Sequence, residues 1–132
     1  MNVGVGKYIY EALTANHPGI EISPVVIPPN PDDPTGSQLT YIVYRRTGCS
    51  PEYTKDLFTG NIEHYYTLLI ADSDFTNAVN IAEQVINTML AISYKEFPDM
   101  KFKQVKLVDL QDDFIDGIYT QTLQFEINTS SK

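Results

Sequence analysis

The sequence has no tryptophan, a single cysteine and two histidines in 132 residues. Cys49 alone excludes an intramolecular disulfide and any multi-cysteine metal cage, and only His17 and His64 could assist it. Basic residues are scarce, nine Lys+Arg against 17 Asp+Glu, for a formal net charge of -8. Non-specific affinity for nucleic acid comes mostly from Lys and Arg neutralising backbone phosphates, so a DNA-wrapping domain is excluded and any role beside DNA would be non-adhesive. Long apolar runs are missing as well. Val25-Val26-Ile27 is among the longest, far short of the roughly 18 residues a membrane helix needs. The opening Met1-Asn2-Val3-Gly4-Val5-Gly6-Lys7 has no basic stretch followed by an apolar one, so no secretory signal is visible and a cytoplasmic origin is expected.

What remains is globular in composition, with 42% hydrophobic and 20% charged residues. Residues 1–132 are expected to form one domain that buries roughly two-thirds of its unfolded surface. Val5, Tyr8, Ile9, Ala12 and Leu13 recur at helical spacing, predicting a first helix from about Val3 to Asn16 that His17-Pro18-Gly19 closes. Ile20, Ile22 and Val25 to Ile27 suggest a short strand limited by Pro24. Pro28 to Ser37 holds four of the eight prolines and reads as a surface loop. Leu39 to Thr47 is rich in β-branched and aromatic residues and predicts a strand with both faces partly covered. Gly48 to Gly60 reads as a long connection carrying Tyr53, Leu57 and Phe58. Asn61 to Ala71 predicts a central strand with Ile62, His64, Tyr66, Leu68 and Ile70 on one face.

The clearest element is a helix from about Asp74 to Phe97, with an apolar stripe from Phe75 to Tyr94, capped by Asp72, Ser73 or Asp74 and ended by Pro98. Strands follow at Phe102 to Leu110 and Ile118 to Asn128, joined by a loop, Gln111 to Gly117. In the second, Tyr119, Leu123, Phe125 and Ile127 face inward, while Thr129 to Lys132 is expected to fray. The order predicts an α+β fold: an antiparallel or mixed sheet of four to five strands with two helices packed on one face.

The chemistry-bearing residues favour plain readings. Gly4-Val5-Gly6-Lys7 lacks the preceding strand and upstream glycine of a phosphate-binding loop. Asp109, Asp112, Asp113 and Asp116 lack the alternating ligands, central glycine and terminal Glu of a calcium loop. No orienting group or nucleophile elbow can be read around Cys49, and His64 reads as a hydrogen-bonded structural residue. His17 reads as a helix-end residue whose positive charge would complement the helix dipole. Lys101, Lys103 and Lys106 read as a solvated strand edge guarded against unwanted pairing. The nine tyrosines exceed expectation and suit either a core or subunit interfaces.

Four landmarks in order carry a family resemblance: Ile9-Tyr10-Glu11-Ala12-Leu13 in the opening helix, Leu39-Thr40-Tyr41-Ile42-Val43-Tyr44 after a proline-bearing loop, the long helix Phe75 to Tyr94 after a strand, and Asp116-Gly117-Ile118-Tyr119 leading into Leu123-Gln124-Phe125. In these the chain resembles the bacteriophage tail-completion or tail-terminator family of head-tail joining proteins. The resemblance implies an α+β virion protein that forms a hexameric ring, caps the tail tube and helps join it to the head. It also implies assembly in the bacterial cytoplasm, residence in the virion tail, and as partners other copies of itself, the tail-tube protein and a head-connector protein. DNA would pass nearby without specific binding. The family brings no catalytic motif, cofactor or metal. Tyr53, Leu57 and Phe58 are the interface candidates, and Asp109, Asp112, Asp113 and Asp116 would form an acidic loop repelling DNA from a ring lumen. Two other readings stay open: a ligand-binding or regulatory module presenting Tyr41, Tyr44 or Tyr66 on an open sheet face, and a hydrolase using Cys49 or His64.

Overall fold

A computed structural model describes residues 3–25 and 40–131. Pro28 to Ser37, Leu39 and Lys132 therefore lie outside the described residues. The elements are α1 (Val5–Asn16), β1 (Glu21–Pro24), β2 (Thr40–Thr54), β3 (Leu57–Asp72), α2 (Phe75–Ala91), β4 (Met100–Ile115) and β5 (Ile118–Ser131). They build the expected α+β fold. The sheet has five strands in the order β1-β2-β3-β5-β4, mixed because β1 runs parallel to β2 while every other pairing is antiparallel.

Both helices lie on one face of the sheet. Val5, Tyr8, Ile9 and Leu13 of α1 and Ile81, Ala82, Val85 and Met89 of α2 share a core with Ile42, Leu68, Ile70, Phe102, Leu123, Phe125 and Ile127. Each Val, Leu, Ile, Phe or Met among them contributes about 1.5–3 kcal/mol when fully buried. Tyr8 stacks on Phe97 at 3.9 Å between ring centroids, and its hydroxyl donates to Asp99, which also pairs with Lys7. On the opposite face Tyr41, Val43 and Ala71 form a smaller cluster with Leu69 and Ile118, so β2 is covered on both sides as expected.

Asp72 closes the corner where β2, β3 and α2 meet. Its carboxylate accepts from Thr40 Oγ1 at 2.5 Å, from the Asp74 backbone N–H at 2.8 Å and from Asn77 Nδ2 at 2.7 Å. Asp74 caps α2 by accepting from the Asn77 backbone N–H.

Four expectations need correction. Gly48 to Gly60 is not a loop: β2 and β3 continue into a long hairpin that turns through Lys55 and Asp56, both at positive φ, the signature of a tight type I′ connection. Gln111 to Gly117 is not a loop either, because β4 runs on to Ile115 and turns through Asp116 and Gly117, again both at positive φ. The second helix ends at Ala91, six residues before Phe97. Tyr94 takes a positive φ and is exposed, and 94–97 folds back on β4 through Tyr94 N to Lys103 O and Phe97 N to Met100 O. Backbone pairing with β4 wins over continued helix. Finally, β5 reaches Ser131, with Thr129 buried and opposite Phe102, so the terminus is held in the sheet through that point.

Candidate assembly interface

The β2–β3 hairpin extends beyond the end of the sheet. β5 pairs with β3 only as far as Asn61, opposite Ser130, so the tip lacks a neighbouring strand there. β1 covers β2 only over Tyr41–Tyr44, which leaves the edge from Arg45 onward without a partner strand among the described residues. Tyr53 is 57% and Leu57 72% exposed, and Phe58 is partly covered, its ring 6.0 Å from that of Tyr53. The three interface candidates thus come together on one tip. Exposed apolar side chains clustered on a projecting arm are unusual unless something covers them.

The four aspartates do not form one loop. Asp109, Asp112 and Asp113 sit on β4, an outer strand of the sheet, and only Asp116 is in a turn. Strand alternation places Asp109 and Asp113, opposite Gln124 and Thr120, on the face away from the helices, and Asp112, opposite Gln121, on the helix face. Asp109 and Asp113 each accept from the backbone N–H of the next residue. Lys101, Lys103 and Lys106 lie on the same strand and are exposed, but 94–97 already pairs with β4 at Met100 to Lys103, so only Lys106 borders an open stretch of that edge.

A surface not read from the sequence lies between α2 and β4. Phe75, Val79 and Ile86 on one side and Leu110 on the other bound a groove of about 340 Å³ floored by Gln121. At its mouth the Tyr119 ring sits 5.4 Å from Phe75 and 4.5 Å from Phe114. Gln121 is only 3% exposed, and its Nε2 has no hydrogen-bond partner. The alternation of β5 marks Gln121 as inward, on the same face as Leu123, and could have flagged this buried amide.

No hydrogen bond joins Cys49 to His64. Cys49 and His64 are directly opposite in register, yet the fully buried His64 ring bonds through Nε2 to Thr129 Oγ1 at 3.2 Å while its Nδ1 has no partner. Burial, then the positive charge of Arg46, lowers the His64 pKa to about 4. His17 does not serve as a cationic cap: it is buried at the end of α1, its Nε2 lies 3.0 Å from Thr88 Oγ1, and desolvation lowers its pKa. Tyr41 and Tyr66 are buried, so they are not presented to a ligand. Tyr44 is half-buried beside Tyr10. A larger open hollow of about 600 Å³, at the base of the hairpin between Pro51, Tyr94 and Lys103, is lined mainly by polar groups. No group of three His, Cys, Asp or Glu residues among the described ones could hold a metal, and no described helix is long and apolar enough to cross a membrane.

The geometry defines a small α+β fold that leaves apolar side chains uncovered at the β2–β3 tip, beside the α2–β4 groove and along β4 at Val108, Phe114 and Ile115. No protein-family model matches the chain, and no curated protein does. Among solved structures it is similar to a chain in the structure described as "Virion of native gene transfer agent (GTA) particle", with a TM-score of 0.71 and 15% identity, covering 92% of this chain and 91% of that one. At that identity the likeness establishes a shared fold.

Proposed function

We propose that the chain is a non-enzymatic structural component of a phage-like virion, and within it a tail terminator: a ring that caps the tail tube and helps join the tail to the head. The observation that carries this reading is the fold likeness to a virion-particle chain over nearly the whole of both molecules. The exposed tip of Tyr53 and Leu57 with Phe58 supports it, because a ring-forming subunit needs apolar surface left over after folding. The ring would contain six copies and contact the tail-tube and head-connector proteins. With a net charge of -8, its acidic strand edge at Asp109 and Asp113 would repel passing DNA rather than hold it.

The test is assembly. Purified protein is incubated with tail tubes and imaged by electron microscopy, and tails are measured in a phage or transfer-agent producer lacking the gene. Rings on tube ends and loss of length control or head attachment are expected. Normal tails joined to heads without the protein would refute the reading. A ring with all four aspartates outside and the lysines in the channel would refute the acidic-lumen part alone.

A further inference from the structure

We propose that the end of the molecule where α2 begins and β4 turns into β5 docks a different protein, whose contact face carries lysine or arginine around apolar side chains. The charge of this chain is unevenly placed. No Lys or Arg occurs from Leu57 to Tyr94 or from Leu107 to Ser131, and the fold packs the helix of the first stretch against the hairpin of the second. Phe75 meets Tyr119 at 5.4 Å and Tyr119 meets Phe114 at 4.5 Å between ring centroids. Glu83 and Asp112 line the α2–β4 groove beside them, Asp74 precedes Phe75 as the α2 cap, and Asp116 stands in the turn after Phe114.

These acids surround uncovered apolar surface. Phe75 is 47%, Leu110 44% and Phe114 54% exposed, together about 300 Å², a patch of the size that on a monomer is often functional. Strand alternation puts Leu110, Asp112 and Phe114 on the helix face of β4 and Asp109 and Asp113 on the other, so this surface is separate from the acidic edge that would repel DNA. An apolar centre inside a polar rim is the anatomy of a protein–protein contact. A rim of one sign selects a partner of the opposite sign and speeds its approach.

The same charge turns other occupants away. Nucleic acid and anionic lipid surfaces are repelled. A second copy fits poorly, because two such ends repel and the hairpin tip sets Glu52 and Asp56 against Lys55. Lys7, Arg46 and Lys103 of that copy already bond within their own fold to Asp99, the Val3 carbonyl and Asn61. A basic partner face with an apolar centre matches both the rim and what it encloses. The surface adds a partner contact to the assembly reading and rests on that reading only for which virion protein supplies the cations.

The experiment uses the full chain and three synthetic peptides: one alternating lysine with leucine and phenylalanine, one with serine in place of the apolar residues, and one with glutamate in place of lysine. Fluorescence anisotropy of the labelled peptide reads affinity, and backbone amide NMR shifts locate the contact. The first peptide should bind, shift amides within 74–86 and 107–121, and lose affinity as salt rises. The other two should bind about tenfold more weakly or worse. Phe114→Ser, and separately Glu83→Gln with Asp112→Asn, should each weaken the first peptide about tenfold with unchanged circular dichroism. Glu11→Gln with Glu21→Gln, a pair of exposed acids elsewhere, should leave it unchanged. No binding, shifts outside those stretches, equal binding of the serine peptide, or an equal loss from the control pair overturns the surface. Self-association that Phe114→Ser abolishes and the first peptide displaces overturns the choice of partner in favour of a second copy. Peptide binding without rings on tail tubes spares the surface and refutes the ring, and rings without peptide binding do the reverse.

Discussion

Lowering the pH from 7 to 4 should destabilise the fold through His64 in particular. The imidazole is fully buried on β3, bonded only through Nε2 to Thr129, and its pKa falls from 6.5 to about 4 because burial, and secondarily Arg46, disfavour the charged ring. The folded pKa is the lower one, so between pH 6.5 and about 4 the unfolded chain holds a proton that the folded chain does not. Stability is therefore fully present above pH 6.5 and is lost as pH falls through that window. At about 1.4 kcal/mol per pKa unit the loss approaches about 3 kcal/mol, a large share of the 5–15 kcal/mol typical of a domain. Urea unfolding of the wild type and His64→Gln at half-unit pH steps isolates this residue, since Gln does not titrate while His17 and the carboxylates remain in both proteins. The variant starts less stable at pH 7, where it loses the fitted ring, and the gap should narrow steadily toward pH 4. Parallel pH profiles would show that His64 does not stay neutral in the fold.

Three other perturbations follow from local geometry. Asp72→Ala should cost about 2–4 kcal/mol, because it leaves Thr40, the Asp74 N–H and Asn77 without their common acceptor; a loss below 0.5 kcal/mol in chemical denaturation would contradict the corner's role. Glu63 and Glu126 lie close enough to share a proton, which raises the Glu126 pKa and lowers that of Glu63, so ionising both sets two like charges against each other. Glu126→Gln should add up to about 0.5 kcal/mol at pH 7, a surface effect screened by salt, and nothing at pH 3; a gain that persists at pH 3 would exclude the charge explanation. Replacing Lys55-Asp56 by Asn-Gly should stabilise by about 1 kcal/mol, since both positions have positive φ and only the new pair adopts it at low cost. Calorimetry reads this as a rise in melting temperature, and a fall would mean that the native side chains make compensating contacts.

The contrast between the two hairpins explains much of what the sequence did and did not disclose. Asp116-Gly117 between two apolar-patterned stretches is among the strongest short-range hairpin signals, so the turn was legible; the polar run Gln111 to Asp113 concealed the strand leading into it. Those residues pair with β5 although their side chains are solvated, and backbone ladders leave little trace in an edge strand's pattern. Lys55-Asp56 carries no such signal, since Lys is not a favoured turn former at positive φ and no glycine follows, and the ladder leading into it is irregular, with a bulge between Pro51 and Tyr53. The central strand and inward faces were legible because burial on one side enforces a period of two. Helix length was not: the stripe through Leu90 and Tyr94 continues in sequence after Ser93 has turned to accept the Val105 N–H. Tyr53, Leu57 and Phe58 were recognisable as uncovered apolar residues, whereas the groove depends on two elements distant in sequence.

Open sheet edges raise a further question of control, because β2 and β4 each present backbone groups along which another copy could pair without limit. Both edges are blunted. β2 carries register shifts at Arg46/Gly48 and Pro51/Tyr53, and β4 at Phe102/Val105 and Leu107/Asp109. Pro51 removes a donor from β2, 94–97 already covers β4 at Met100 to Lys103, and Lys106, Asp109 and Asp113 charge the stretch of β4 beyond it. Bulges bend the strand and interrupt the regular ladder that edge-to-edge addition requires. A copy that approaches edge-on therefore meets broken register and exposed charge. Removing the β4 protection, for example by Asp109→Val with Asp113→Val, should convert discrete assembly into β-rich aggregates detectable by thioflavin binding and light scattering. If those variants stay as soluble as the wild type, the edge charges are not what prevents sheet extension.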